Sequence, residues 1–321
     1  MTRLLQLALL ALLLATGAAE ARTYRIYMAL WRGPTEVEKA FAEHLRESGV
    51  PFELIVRDAG QDVKKIPAMV VEIKATRPDL VYAWGTPMTL GLVGAVGQVD
   101  PARHLTDIPV VFTMVASPVG ARVVADLAAS GRNVTGVTHT VPLEVQLNAM
   151  RSYGAFDRLG VIYNPKEDNS VATAKRLAEL GQAEGFALVE RQISDPAAIG
   201  GLVAELKREG ADYLYIPADT LVGQHRQALT KAAIDVGLPT FAAAELSIRS
   251  ADSLMGLVSR YDQVGRFTAH KARQILLEGK PAGEIPVERL SRFSLIVRMP
   301  VARALAYYPP VGLLSLAEVL E

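Results

Sequence analysis

The sequence predicts an α/β protein made of two similar lobes, each built on a parallel sheet, with a cleft between them. Three observations carry this. Short apolar strands alternate with amphipathic helical segments, the pattern of βαβ units. The order of elements over residues 37–113 returns over 171–241, with Asp79–Trp84 matching Asp212–Pro217 and Ile108–Thr113 matching Leu238–Phe241. Strands in both halves run straight into turn-forming sequence, Gly85-Thr86-Pro87 in one and Pro217-Ala218-Asp219-Thr220 in the other. Two facing α/β lobes enclose a cleft, and clefts of this kind hold small ligands.

The elements follow in order. Tyr24–Leu30 reads as a strand. Thr35–Glu47 reads as a helix, with Val37, Ala40, Phe41 and Leu45 on one face and Gly49 as its stop. Phe52–Val56 is strand-like, Val63–Thr76 a helix ended before Pro78, Leu80–Trp84 a strand, and Val110–Thr113 a β-branched strand. Asn133–Gly136 is expected to carry the chain towards the second lobe. There Arg158–Tyr163, Phe186–Arg191, Asp212–Ile216 and Pro239–Ala242 are the strands, and Val171–Ala183, Ala197–Arg208 and Leu221–Val236 the helices. Leu254–Ser259 is expected as a strand returning to the first lobe, followed by a helix over Asp262–Leu277 that Gly279 ends. The expected division is residues 22–140 for lobe 1, completed by about 260–290, and 141–259 for lobe 2, completed by about 291–321.

Met1–Ala21 is sequence of another kind. Arg3 precedes an apolar run from Leu4 to Ala15, and Ala19-Glu20-Ala21 is a small-residue cleavage site. This is the layout of a secretory signal, with Arg22 as the expected mature N-terminus. The run is too short for a bilayer core of ~30 Å. Cysteine is absent, so no acylation site follows it, and a free periplasmic protein is expected.

The whole chain has 321 residues, enough for about two domains. Lys plus Arg equals Asp plus Glu at 34 each, so no net field favours nucleic acid or a membrane surface. The five histidines are scattered without ligand spacing, so neither a metal nor another cofactor is expected. There is no G-x-S-x-G elbow and no phosphate-binding G-K-[ST] loop, and no nucleophile with a nearby base can be named. The chain is therefore not expected to be an enzyme and has no candidate catalytic residue.

Four blocks in order resemble a known family. They are Pro109–Leu127 with Gly131–Val137, Leu159–Pro165 with Asn169-Ser170, Tyr213–Pro217 with Asp219-Thr220, and Phe293–Val297 with Ala302–Leu305 and Pro309-Pro310. Together they resemble the ABC transporter substrate-binding proteins typified by tryptophan- and tyrosine-binding members. The resemblance implies two Rossmann-like lobes in a periplasmic binding protein fold with three interlobe crossovers. It also implies a small solute, such as an amino acid or related carboxylate, and a membrane permease with its ATPase as partner. A monomer is expected. A sensor of the same fold, reporting to a membrane receptor or histidine kinase, stays open at this level. The chain departs from the family pattern at Ser117-Pro118, where an aspartate is usual, and at Trp31-Arg32-Gly33-Pro34, where serine and histidine are usual. Both changes favour a more anionic ligand.

The strand ends supply the candidate ligand-binding residues. Asp219 is placed to pair with a ligand ammonium or to cap the following helix. Gly85, Thr86, Thr113, Ser117 and Thr220 offer hydroxyls and amides to a carboxylate, or serve as caps. Trp31 is expected as an aromatic wall of the cleft and Trp84 as core beneath it. Arg32 and Arg260 follow strands and could fork onto an anion. Glu245 and Asn164 complete the set, each with a capping or turn role as the alternative. A hinge is expected near residues 138–142 and 259–262.

Overall fold

A computed structural model describes residues 22–321; the expected signal segment lies outside the described residues. The chain folds into two sheets. The first contains β1 (Tyr24–Leu30), β2 (Phe52–Asp58), β3 (Leu80–Trp84), β4 (Val110–Thr113) and β5 (Val134–Thr138). Helices α1 (Glu36–Glu47), α2 (Ile66–Thr76) and α3 (Thr86–Val93) connect its early strands. The second sheet begins after α4 (Leu143–Tyr153). It contains β6 (Arg158–Tyr163), β7 (Ala187–Gln192), β8 (Tyr213–Ile216), β9 (Thr240–Ala242) and β10 (Met255–Val258). Its helices are α5 (Asp168–Glu184), α6 (Ile199–Arg208), α7 (Thr220–Gln224), α8 (Arg226–Asp235) and α9 (Glu245–Arg249). The chain closes with α10 (Tyr261–Leu276), β11 (Glu288–Arg289), β12 (Ser294–Arg298), α11 (Met299–Ala304), α12 (Val311–Leu314) and β13 (Glu318–Leu320).

The first sheet has the order β11-β5-β4-β3-β1-β2 and is parallel throughout. The second has the order β13-β12-β10-β9-β8-β6-β7, with β10 and β12 as its antiparallel pair. Strands such as β3 are buried along their whole length, as expected where helices cover both faces of a parallel sheet. The chain passes between the sheets three times, at 138–143, 258–261 and 289–294.

Local chemistry sets the elements that reach the cleft. Thr35 opens α1 with a capping box: its Oγ1 accepts from the Val37 amide at 3.2 Å, and its own amide donates to Glu38 at 2.6 Å. Glu38 is buried and also accepts from the Tyr82 hydroxyl, tying α1 to β3. Gly265 lets α10 lie on α1: a Cβ there would meet the Val37 carbonyl oxygen at 2.2 Å. That contact seats the returning helix on the first lobe.

Several elements differ from expectation. Asn133–Gly136 is not a connector, because Val134–Thr138 pairs with β4 as a further strand. Leu254–Ser259 does not return to the first lobe; Met255–Val258 lies inside the second sheet between β9 and β12. The return is made by α10. The segment read as one helix over Leu221–Val236 breaks at His225, whose φ of −105° and ψ of 19° leave the helical region, two residues after the weak helix former Gly223. The helix α4 has no counterpart among the expected elements.

Candidate functional site

The carboxyl ends of the strands in both sheets converge on an interlobe cavity of about 70 Å³, enough for several waters or the head of a small molecule. Lobe 1 contributes Trp31 and Arg32 after β1, Trp84 to Thr86 after β3, Met114 after β4, His139 after β5, and Tyr261 at the start of α10. Lobe 2 contributes Glu167 and Asn169 around the start of α5, Asp219 and Thr220 after β8, and Arg226 at the start of α8.

The lobe 2 wall carries a pair of carboxylates. Asp219, only 5 % exposed, accepts from the Val222 amide at 2.9 Å and the Asn164 amide at 2.7 Å. Glu167 accepts from the Thr220 amide at 3.0 Å. Burial, and then the neighbouring charge of Asp219, pushes the Glu167 carboxyl up to about 7. Near neutral pH the Glu167 carboxyl is therefore close to half protonated, and a cation at this wall would favour its ionised form.

The lobe 1 wall is aromatic and donor-rich. The Arg32 guanidinium lies 4.8 Å from the centre of the Trp84 ring. His139 is buried, and burial followed by the charge of Arg32 lowers its pKa to about 4, so it is a neutral imidazole. Burial raises the Tyr261 hydroxyl to about 12, which keeps it a neutral donor. Arg226 reaches the same cavity from lobe 2, where burial and then the charge of Arg32 lower its pKa.

The family model described as ABC transporter substrate binding protein matches residues 33–317. The chain belongs to this family. A tyrosine-binding protein of Clostridioides difficile is 26 % identical over 275 residues, covering 84 % of this chain and 76 % of that protein. A conserved domain protein from Vibrio cholerae has the same fold, with a TM-score of 0.83 at 24 % identity over 94 % of this chain and all of that one. An ABC domain from Streptococcus pneumoniae in complex with L-Trp superposes with a TM-score of 0.78 at 20 % identity, over 92 % of this chain and 100 % of that one. No described helix of this substrate-binding protein is long and apolar enough to cross a membrane.

Within this family member, Trp31, Arg32, Gly85, Thr86, Asp219 and Thr220 all line the cavity. The other candidates lie elsewhere, and all but Ser117 are held by a partner. Thr113 is buried beneath the floor, where the Thr268 hydroxyl donates to it at 3.3 Å. Ser117 faces a neighbouring groove with Thr140, Gln146 and Arg176. Asn164 supports Asp219 through its amide, and its side chain accepts from the Lys166 amide at 3.0 Å. Glu245 is buried beside the second passage, accepting from the Tyr261 amide at 2.6 Å and from Arg249 at 2.6 Å. Arg260 pairs with Glu245 at 2.9 Å and with Glu318 at 2.7 Å.

Trp84 belongs to the buried core of the first lobe, as expected, and also lines the cavity, because β3 ends at the cleft. His139, Glu167, Arg226 and Tyr261 were missed. Glu167 carries a local signal, lying four residues beyond a strand end and next to a helix start. Arg226 carries no strand-end signal, because it lies at the start of α8, beyond the short helix α7.

Proposed function

We propose that this protein is the extracytoplasmic binding component of an ABC importer and takes an amino acid in the interlobe cleft. The observation that carries this is the division of charge around one cavity. Glu167 and Asp219 suit an ammonium group, whereas Arg32 and Arg226 suit a carboxylate, and Trp31 and Trp84 add apolar surface to the same cavity. A zwitterion satisfies both sides at once. The tyrosine-binding relative and the neighbour in complex with L-Trp support an aromatic amino acid.

Ligand bridging the lobes would shift an open–closed equilibrium about the interlobe passages, and the closed form would present itself to a membrane permease. Residues 22–140 with 260–290, and 141–259 with 291–321, move as the two bodies. Trp31, Arg32, Gly85, Thr86, Asp219 and Thr220 contact the ligand, which is released unchanged. Met1–Ala21 directs export to the periplasm, where the protein acts as a monomer.

A thermal-shift screen of residues 22–321 against amino acids, small carboxylates, sugars and phosphorylated compounds tests the reading. A ligand at ~100 times its dissociation constant adds ~2.7 kcal/mol. Stabilisation by one or more amino acids is expected. A response confined to sugars would overturn the assignment.

A further inference from the structure

We propose that Arg32 and Arg226 form a clamp, one jaw on each lobe, for an anionic group of the ligand, and that the cleft closes on ligands that carry a carboxylate. This rests on the interlobe cavity being the ligand site, and it names the group that the site demands.

The two guanidiniums line one cavity from opposite walls. Among the described residues neither has a carboxylate partner. Arg32 lies over the Trp84 ring, and Arg226 donates to the Ser250 hydroxyl at 2.9 Å and the Gly223 carbonyl at 2.7 Å. The contrast with nearby arginines is sharp. Arg249 and Arg260, in the same region, are both neutralised by Glu245 and Glu318. The acids of the cavity itself are turned to backbone amides: Glu167 to Thr220, and Asp219 to Asn164 and Val222. The protein therefore leaves two like charges facing each other across a cleft that must narrow.

Donors also outnumber acceptors among the unpartnered buried atoms of the cavity residues, where Asn169 Oδ1 is an acceptor. Trp31 and Trp84 are 4 % and 9 % exposed, yet the indole Nε1 of each has no partner, nor has the Nε of Arg32. His139, 5 % exposed, likewise leaves Nδ1 without one. An indole can only donate, and a buried donor left unpaired is costly. A carboxylate offers about four acceptor positions and matches the planar fork of a guanidinium. Between Arg32 and Arg226 it would cancel their repulsion and draw the lobes together. Without it, closure brings two cations towards each other in a water-poor site.

The test uses calorimetric titration of residues 22–321, as wild type and as the Arg32→Gln/Arg226→Gln double variant. The probes are L-tryptophan, L-tyrosine and L-glutamate, the decarboxylated amines tryptamine and tyramine, and malonate. The wild type is expected to prefer an amino acid over its amine by about 30-fold or more, the factor expected when one partner of a buried ion pair is removed. The preference should fall below about threefold in the double variant. Arg32→Lys/Arg226→Lys should restore part of it, and unchanged melting of the unliganded variants would show that they are folded. A preference for the aromatic amino acids places the α-carboxylate in the clamp, and a preference for glutamate places a side-chain carboxylate there. A preference that survives intact in the double variant overturns the clamp. Should no amino acid bind, malonate decides. If it stabilises the wild type and not the double variant, the amino-acid reading falls and the clamp stands; if it stabilises both or neither, the clamp falls.

Discussion

Two turns occupy matching places in the internal repeat and do opposite things. After β3 the chain enters α3 through Gly85, whose φ of +81° and ψ of 165° suit glycine alone, and no side chain caps the helix. After β8 it enters α7 through Asp219, which is extended and caps the helix with its own carboxylate. Both turns reach the cavity. One presents backbone and a threonine hydroxyl to an acceptor; the other presents a buried negative charge. The duplicated topology fixes where chemistry is placed, and the cap residue fixes its sign. The walls follow suit. Lobe 1 lines the cavity with Trp31, Arg32, Trp84 and His139 and no carboxylate, whereas lobe 2 brings Glu167 and Asp219.

Breaking the acidic turn should have the largest effect. Asp219→Ala is expected to weaken an amino-group ligand by roughly 2–5 kcal/mol, as for one partner of a buried charge pair. It also strands the Asn164 and Val222 amides, at about 1–3 kcal/mol of stability by denaturant unfolding. Unchanged affinity by titration calorimetry would reduce Asp219 to a cap. Breaking the glycine turn should cost less. In Gly85→Ala no atom lies within 4 Å of the new Cβ, so the loss of about 1–3 kcal/mol would come from backbone strain alone. An unchanged melting temperature would mean that the turn tolerates a side chain, and the contrast with Asp219 would lose its conformational basis.

A third prediction sharpens the acidic side. In the native state Glu167 holds its proton up to about pH 7, whereas an unfolded carboxyl releases it near 4.5. Between those values the native state binds more protons, so stability without ligand falls as pH rises and levels off above about 7. The drop should be on the order of 1–2 kcal/mol, because water still reaches the group. Glu167→Gln should flatten the slope. Affinity for an ammonium ligand should rise across the same window, since the cation needs the ionised pair. Affinity that does not vary with pH in the wild type would show that Glu167 does not meet the ligand.

Particular residues show how much of the site was legible. Trp31, Arg32, Gly85, Thr86, Asp219 and Thr220 could be placed because each sits at or just beyond a strand end, and strand ends face the cleft in a parallel sheet. Thr113 and Asn164 satisfy the same rule, but partners brought from far along the chain, Thr268 and Asp219, occupy them. Glu245 and Arg260 carry the right charges but pair with each other, and the last strand delivers Glu318 as a second acid on Arg260.

The alternation of elements and their repetition determined the fold class, since hydrophobic period and turn chemistry are local properties that any stretch of chain declares by itself. The strand-end rule likewise determined which segments could meet a ligand. The tertiary structure decided which charges stay free there. Whether an arginine is neutralised depends on which carboxylate folds to within reach of it, and the sequence separation between them does not record that distance. Arg260 found Glu318, whereas Arg32 and Arg226 found no acid among the described residues.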